Sequence, residues 1–371
     1  MFDEVLSTDD RTNLTSHRKS RRLVGGFGEK GFDYAGNSNA DLAVWASAKE
    51  AILVNASGGV RRRAEQRASV TRVFRPSASV YAGVIRASRP HQWLKNVLLF
   101  VPVVTGHKLG DFAVLLNASI GILAFCLCAS SVYLVNDLYD LDSDREHPKK
   151  RFRPFASGQT PIAAGLLLAP ALLVAGLILS FLLPLFFQIY LVIYCVASTL
   201  YSCLLKKIVL VDVYALAGLY TLRLLAGHAA TGIAYSSWLL GFSMFLFLSL
   251  ALLKRYIELR RLSQTPGARM AGRGYEMTDL SGIYTLGITS GFISALVLAL
   301  YINSEEVKKL YRHPMTLLAI CPLLLYWVSR VWFLATRQKV DEDPVVFALR
   351  DKTSYLIGAI CAALIWLATA I

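Results

Sequence analysis

Beyond residue 86 the chain alternates long apolar runs with short polar connections. Runs of spanning length lie near 112–135, 162–183, 186–205, 208–226, 236–253, 282–303, 315–334 and 353–371. A shorter one near 93–106 brings the expected number of membrane helices to nine, since about 20 apolar residues cross a bilayer as a helix. The first 85 residues are different, being polar and net basic with no such run. Within them, GFDYAGNSNADLAVW (31–45) and AILVNAS (51–57) read as a strand, an acidic turn, a short helix and a second strand.

Composition sharpens that division. At 55% hydrophobic, 17% charged and a mean hydropathy of +0.48, the 371 residues are too apolar for an ordinary soluble domain, so the chain reads as an all-α multi-pass membrane protein with a small cytosolic N-terminal α/β unit. The cysteines all fall in apolar runs without metal-ligand spacing and read as packing residues. The N-terminal region shows no early apolar core with a cleavage site, which places the N-terminus in the cytosol. The loops 136–160, 206–207, 254–281 and 335–352 then share its side and carry 5, 2, 6 and 4 Lys or Arg. The opposite loops hold only Lys108, Lys308, Lys309 and Arg312, as the positive-inside rule requires. The net charge of +14 is thus a bias toward anionic lipid, and a nucleic-acid partner is not expected because no basic face carries interleaved aromatics. The basic run Arg61, Arg62, Arg63, Arg67, Arg72 and Arg75 reads as a linker near the membrane surface.

The densest chemistry lies at one cytosolic exit, YLVNDLYDLDSDREHPKKRFRPFASG (133–158). Asn136, Asp140 and Asp144 recur every four residues and share one face of a continuing helix, with Asp137 on its shoulder and Asp142 elsewhere. Carboxylates stacked in this way repel unless a cation lies among them, and Mg²⁺ prefers a few carboxylates plus substrate phosphates. The alternative is a solvated loop whose acids pair with Arg145, Lys149, Lys150 and Arg151. Further bases favour a site. Arg223 falls mid-span, where a charge marks a functional or polar-lined cavity. Lys206 and Lys207 flank a boundary near Tyr201 and Asp212, with snorkelling as their alternative role, and Lys254, Arg255 and Glu258 end another span. An acidic face and a ring of bases above an apolar cavity suit a diphosphate head group on a lipid tail.

The pattern Asn136, Asp137, Asp140, Asp144 followed by RPFASG (153–158), with RPHQWLKN at 89–96, resembles the first aspartate-rich motif of the UbiA superfamily of intramembrane prenyltransferases. The resemblance extends over about 86–352 and implies about nine helices around a central cavity, in which Mg²⁺ held by Asn136, Asp137, Asp140 and Asp144 binds a diphosphate and assists its departure. It makes Asp140, Asp144 and Arg223 catalytic candidates. Lys95, Asn96, Arg153, Tyr201, Lys206, Arg223, Lys254, Arg255 and Glu258 are candidate substrate contacts, although Lys95, like Trp93, also suits an interfacial anchor.

One departure from the family is informative. A second aspartate-rich motif is usual after the sixth span, whereas this chain has KRYIEL (254–259) and then GRGYEMTDL (272–280), leaving Glu258, Glu276 and Asp279 as the acids. With DREHPKKRFRP and LRLLAG, this is similar to the branch of decaprenyl-phosphate phosphoribosyltransferases, which implies transfer of phosphoribose from phosphoribosyl diphosphate to a polyprenyl phosphate. The alternatives are polyprenyl transfer from an allylic diphosphate to an aromatic acceptor, and a non-enzymatic lipid-phosphate transporter or scaffold. The implied partners are a polyprenyl lipid, a diphosphate-bearing donor and the bilayer, in a bacterial inner membrane with the active-site loops cytosolic; the oligomeric state is left open. Residues 1–75 are similar to a truncated haloacid-dehalogenase-like domain, with Asp41 matching an acid position and Asn37 standing where an acid is common. No D-x-D nucleophile motif precedes them, so phosphatase activity is not expected.

Overall fold

The protein structure is a computed structural model that describes residues 14–74, 80–262, 274–340, 344–348 and 350–370. It divides into two compact units, 1–83 and 84–371. The first contains α1 (Ser16–Phe27), β1 (Tyr34–Gly36), α2 (Leu42–Ser47), β2 (Ala51–Val54), α3 (Gly58–Glu65) and β3 (Val70–Phe74). The three strands form one parallel sheet in the order β1-β2-β3, with Trp45, Leu53 and Ala64 in its core. The expected strand, turn, helix and strand are present. The linker reading of the basic run is corrected: Arg61, Arg62 and Arg63 lie on α3 and Arg72 in β3, while Arg75 is outside the described residues. Asp41 is buried and accepts hydrogen bonds from the Ser38 amide (2.9 Å), the Ser38 hydroxyl (2.8 Å) and the Asn37 amide (3.1 Å). Burial opposes its ionisation, but these donors outweigh it and hold the carboxyl below its usual range.

The division between the units falls within α4 (Val80–Ala87). A 3-10 segment (Pro90–Phe100) and α5 (Val101–Thr105) lead to α6 (Phe112–Tyr139), α7 (Leu141–Glu146), α8 (Ile162–Ser180), α9 (Leu185–Cys203), α10 (Val211–Thr231) and α11 (Ser237–Leu262). Then come α12 (Leu280–Ile302), α13 (Glu305–Leu310), α14 (Ile320–Thr336), α15 (Pro344–Ala348) and α16 (Lys352–Ala370). Seven helices among the described residues are long and apolar enough to cross a membrane. α10, which carries Asp212 and Arg223, is an eighth of similar length. The ninth expected span, 93–106, is not an α-helix of spanning length but the 3-10 segment followed by α5.

The bundle follows from where polar groups interrupt the apolar runs. At 28 residues α6 is about 42 Å long, exceeding the roughly 30 Å hydrocarbon core, so its polar end from Asn136 lies at the rim. Asp111 caps its start, accepting from the amides of Ala113 (3.1 Å) and Val114 (3.3 Å). Large apolar side chains on α8 and α9, such as Leu167, Ile178, Phe186 and Val196, remain exposed, as befits surfaces facing lipid. The interior holds two main clusters. Phe125, Phe187, Leu191, Tyr194 and Ala226 join α6, α9 and α10; Leu252, Tyr256, Val328 and Trp332 join α11 and α14, where the Trp332 ring occupies the space a side chain on Gly287 of α12 would need.

Candidate active site

Contacts of Lys206 with Asp140, Arg255 with Asp212 and Tyr275 with Asp212 bring the ends of α6, α9 and α11 together with the starts of α10 and α12, and the predicted site residues fall into three groups, two at that end and one deeper. The first forms around the acidic exit. Asp137, 2% exposed, accepts from Arg89 Nη2 (2.6 Å) and Arg153 Nη1 (3.1 Å). The same Arg153 nitrogen donates to Asp144 Oδ2 (2.6 Å), and Asp144 is 1% exposed. Asp140 is more open; its Oδ2 accepts from Asn136 Nδ2 (3.3 Å) and Lys206 Nζ (3.3 Å). Each carboxylate therefore faces a base from outside its own helix. Of the solvated-loop pairings, Arg145 with Asp142 forms at 3.5 Å in exposed surroundings, whereas Asp137, Asp140 and Asp144 pair with Arg89, Arg153 and Lys206.

The expected helix face is also interrupted. α6 ends at Tyr139 with Asp140 as its C-cap, and α7 restarts at Leu141. Asp144 then meets Asp137 across Arg153 instead of stacking simply on Asp140. Arg89 was not picked out by the sequence reading. It has left-handed backbone (φ 50, ψ 55) just before Pro90, and its guanidinium lies over the Tyr133 ring at 5.4 Å. An arginine placed at the head of a proline-started apolar segment was the available signal.

The second group is deeper. Along α10, Arg223 is about 16 Å from Asp212 at 1.5 Å per residue. Its Nε donates to Asn96 Oδ1 (2.9 Å), Nη1 to the Leu219 carbonyl (2.6 Å) and Nη2 to the Tyr194 hydroxyl (3.1 Å). Tyr194 and Tyr220 also present their rings to it, at 4.8 and 5.5 Å, while Lys95 lies 5.9 Å from the Tyr220 ring. The 3-10 segment explains how Asn96 arrives there. Three residues per turn align Trp93, Asn96 and Leu99 on one side. Trp93 Nε1 donates to Ser130 Oγ (2.9 Å), Asn96 Nδ2 to Cys126 Sγ (3.3 Å), and the Leu99 backbone packs on Gly227.

The third group is a buried ion network. Arg255, with no exposed surface, pairs through Nε with Asp212 and through Nη1 with Glu258, and its Nη2 donates to the Tyr201 hydroxyl (3.0 Å). The Tyr275 hydroxyl donates to the other Asp212 oxygen and accepts from the Leu210 amide (2.9 Å). Burial, with the Asp212 carboxylate beside it, raises the Tyr275 hydroxyl above its usual pKa and keeps it a donor. Lys254 is half-buried on the same helix.

Asn136, Asp137, Asp140 and Asp144 offer the hard oxygen ligands that Mg²⁺ prefers, and Asp144 Oδ1 is buried without a hydrogen-bond partner, as an oxygen reserved for a cation would be. No ready-made group of three or more acidic, His or Cys ligands exists among the described residues. The carboxylates are held by Arg89, Arg153 and Lys206 instead.

Residues 99–350 match the UbiA prenyltransferase family. The chain is 37% identical over 365 residues to the uncharacterized protein y4nM of Sinorhizobium fredii, covering 98% of this chain and 70% of that protein. It is 33% identical over 270 residues to the nodulation protein NoeC of Azorhizobium caulinodans, covering 72% and 87%. To a decaprenyl-phosphate phosphoribosyltransferase of Mycobacterium tuberculosis it is 33% identical over 308 residues, covering 80% and 96%. Among solved structures, a UbiA homolog from Archaeoglobus fulgidus bound to DMAPP and Mg²⁺ superposes with a TM-score of 0.58 at 18% identity, covering 78% of this chain and 99% of that one.

Proposed function

Because the chain belongs to the UbiA prenyltransferase family, a family of membrane transferases, we propose that it moves phosphoribose from phosphoribosyl diphosphate to a polyprenyl phosphate. The observation that carries this reading is one acidic cluster matched by three bases, Arg89, Arg153 and Lys206, at the rim of an apolar bundle. Such a site suits a donor and an acceptor that are both phosphorylated, and the relative named a decaprenyl-phosphate phosphoribosyltransferase supports that choice. An acceptor phosphate oxygen attacks C1 of the ribose, the C1–O bond to diphosphate breaks, and diphosphate leaves with the electron pair. The nucleophile is already anionic, so no strong general base is needed and positioning two anions is the main task.

Asn136, Asp140 and Asp144 would hold Mg²⁺, which when bound stabilises negative charge on the leaving diphosphate. Arg153 and Lys206, each about a quarter exposed, exchange a carboxylate partner for a phosphate oxygen when the donor enters. Asp137, bound by two arginines, orients them. Arg223, held by Asn96 and Tyr194, fixes the wall beneath, and Lys95 and Lys254 carry further positive charge for the acceptor. The acidic end faces the cytosol of a bacterial inner membrane, following the Lys and Arg asymmetry of its loops.

The test is pyrophosphate release by purified protein in detergent with Mg²⁺ and polyprenyl phosphate, comparing phosphoribosyl diphosphate with an allylic diphosphate plus an aromatic acceptor. Release with phosphoribosyl diphosphate alone, abolished by Asp140→Asn, supports the reading. Release only with the allylic donor replaces it by prenyl transfer, and silence with both favours a transporter or scaffold.

A further inference from the structure

Where a second aspartate-rich motif would supply another set of metal ligands, every acid among the described residues is already engaged within the protein. Asp212 is fully buried, with one oxygen on Arg255 Nε and the other on the Tyr275 hydroxyl. Glu258, the remaining carboxylate of KRYIEL, binds Arg255 Nη1. Glu276 and Asp279 form a capping box ahead of α12, in which the Glu276 amide donates to Asp279 Oδ2 (2.9 Å). Glu276 is exposed and Asp279 half-buried, and that Asp279 oxygen is taken up by the cap.

We propose that Arg255 takes the place of a second divalent ion, so that the protein binds a single divalent cation, at the Asp140 and Asp144 end. A guanidinium with no exposed surface cannot itself contact a substrate, so Arg255 is a positioning residue. It ties Tyr201 of α9, Asp212 of α10 and Glu258 of α11 to one centre. Its fixed charge already neutralises the carboxylates a second ion would require, and admitting that ion would leave a buried guanidinium facing a dication. In water-poor surroundings that repulsion is severe. The inference rests on the reading of the first acidic group as a metal site.

The experiment uses the intact wild-type protein in detergent with inorganic pyrophosphate as the anion and Mn²⁺ as the probe, and counts bound ions per chain by electron paramagnetic resonance. One Mn²⁺ per chain, without spin coupling between neighbouring ions, is expected. Two per chain, or a spin-coupled pair, overturns the proposal while leaving the transferase assay untouched. No bound Mn²⁺ overturns it together with the metal role of Asp140 and Asp144. A variant adds a gain-of-binding readout: Arg255→Met uncovers Asp212 and Glu258, and a folded preparation is expected to take up a second Mn²⁺. Folded Arg255→Met that still binds one ion also counts against Arg255 as its replacement.

Discussion

Replacing Asn96 with leucine tests whether the buried arginine is held by the 3-10 segment. Arg223 and Asn96 are 5% and 1% exposed, so solvent screens their 2.9 Å hydrogen bond little. The guanidinium donates to the neutral Asn96 and Tyr194 side chains and the Leu219 carbonyl; no ion pair joins it to a carboxylate among the described residues. A hydrogen bond to a charged group contributes about 1.5–3 kcal/mol, and losing the acceptor leaves an Arg N–H buried without one. Asn96→Leu should therefore destabilise the fold by about 2 kcal/mol, with only a small addition from the weak contact to Cys126 Sγ. Thermal unfolding in detergent of the wild type, Asn96→Leu, Arg223→Met and the double variant isolates the interaction. Once Arg223 is gone, leucine at 96 should cost far less, giving a coupling of about 1.5–3 kcal/mol. Additivity within about 0.5 kcal/mol would show that Asn96 does not anchor Arg223.

Three other perturbations separate packing, chemistry and charge. At Gly227 a Cβ would come within 2.5 Å of the Leu99 carbonyl oxygen, so Gly227→Ala should push the 3-10 segment from α10, at about 1–3 kcal/mol, read as a lower melting temperature. Asp140→Asn removes a charge whose side chain is one-fifth exposed, so the melting temperature should move little while pyrophosphate release falls at least about tenfold. Unchanged release would remove Asp140 from the chemistry. Asp351 precedes α16 and accepts from Arg330 Nη1 (2.6 Å) and Nη2 (3.0 Å) and from the Ser354 amide (2.9 Å). The Arg330 hydrogen bonds hold its carboxyl below the usual range, so its stabilising effect is complete above the ordinary carboxylate pKa and is lost as pH falls through the depressed value. The melting-temperature advantage of the wild type over Asp351→Asn should accordingly shrink on acidification, and an advantage that grows would refute this.

The long helices were legible because about 20 consecutive apolar residues have few alternatives in a bilayer. The 93–106 run was misread because hydropathy does not distinguish an α-helix from a 3-10 helix, although Pro90 and Pro102 mark the start of each helical piece. The four-residue spacing of Asn136, Asp140 and Asp144 was visible, and it singled out carboxylates that the fold gathers with Arg153 and Lys206. What spacing did not reveal was the end of α6 at Tyr139, since no Gly or Pro stands there. Partner choice was hidden for a different reason. Asp137 meets Arg89 from 48 residues away, Arg223 meets Asn96 from 127, and Arg255 meets Asp212 from 43. Those separations are set by helix packing, so local charge patterning reaches Arg145 with Asp142 but not the bases that meet Asp137 and Asp140 from other elements.

The pairing that local patterning missed bears directly on how the proposed site binds. With Asp137 and Asp144 on Arg89 and Arg153, and Asp140 on Lys206, the formal charges of acids and bases already balance. A bare divalent ion entering that group faces three bases as well as three acids, and gains less than it would from a free carboxylate cluster. A diphosphate alone would find the bases, but with unneutralised carboxylates left beside it. Entering together, cation and diphosphate give each acid and each base a partner of opposite charge. The neutrality of the resting cluster thus favours uptake of the metal and the donor as one unit, and this coupling depends on the long-range pairs rather than on the aspartate spacing alone.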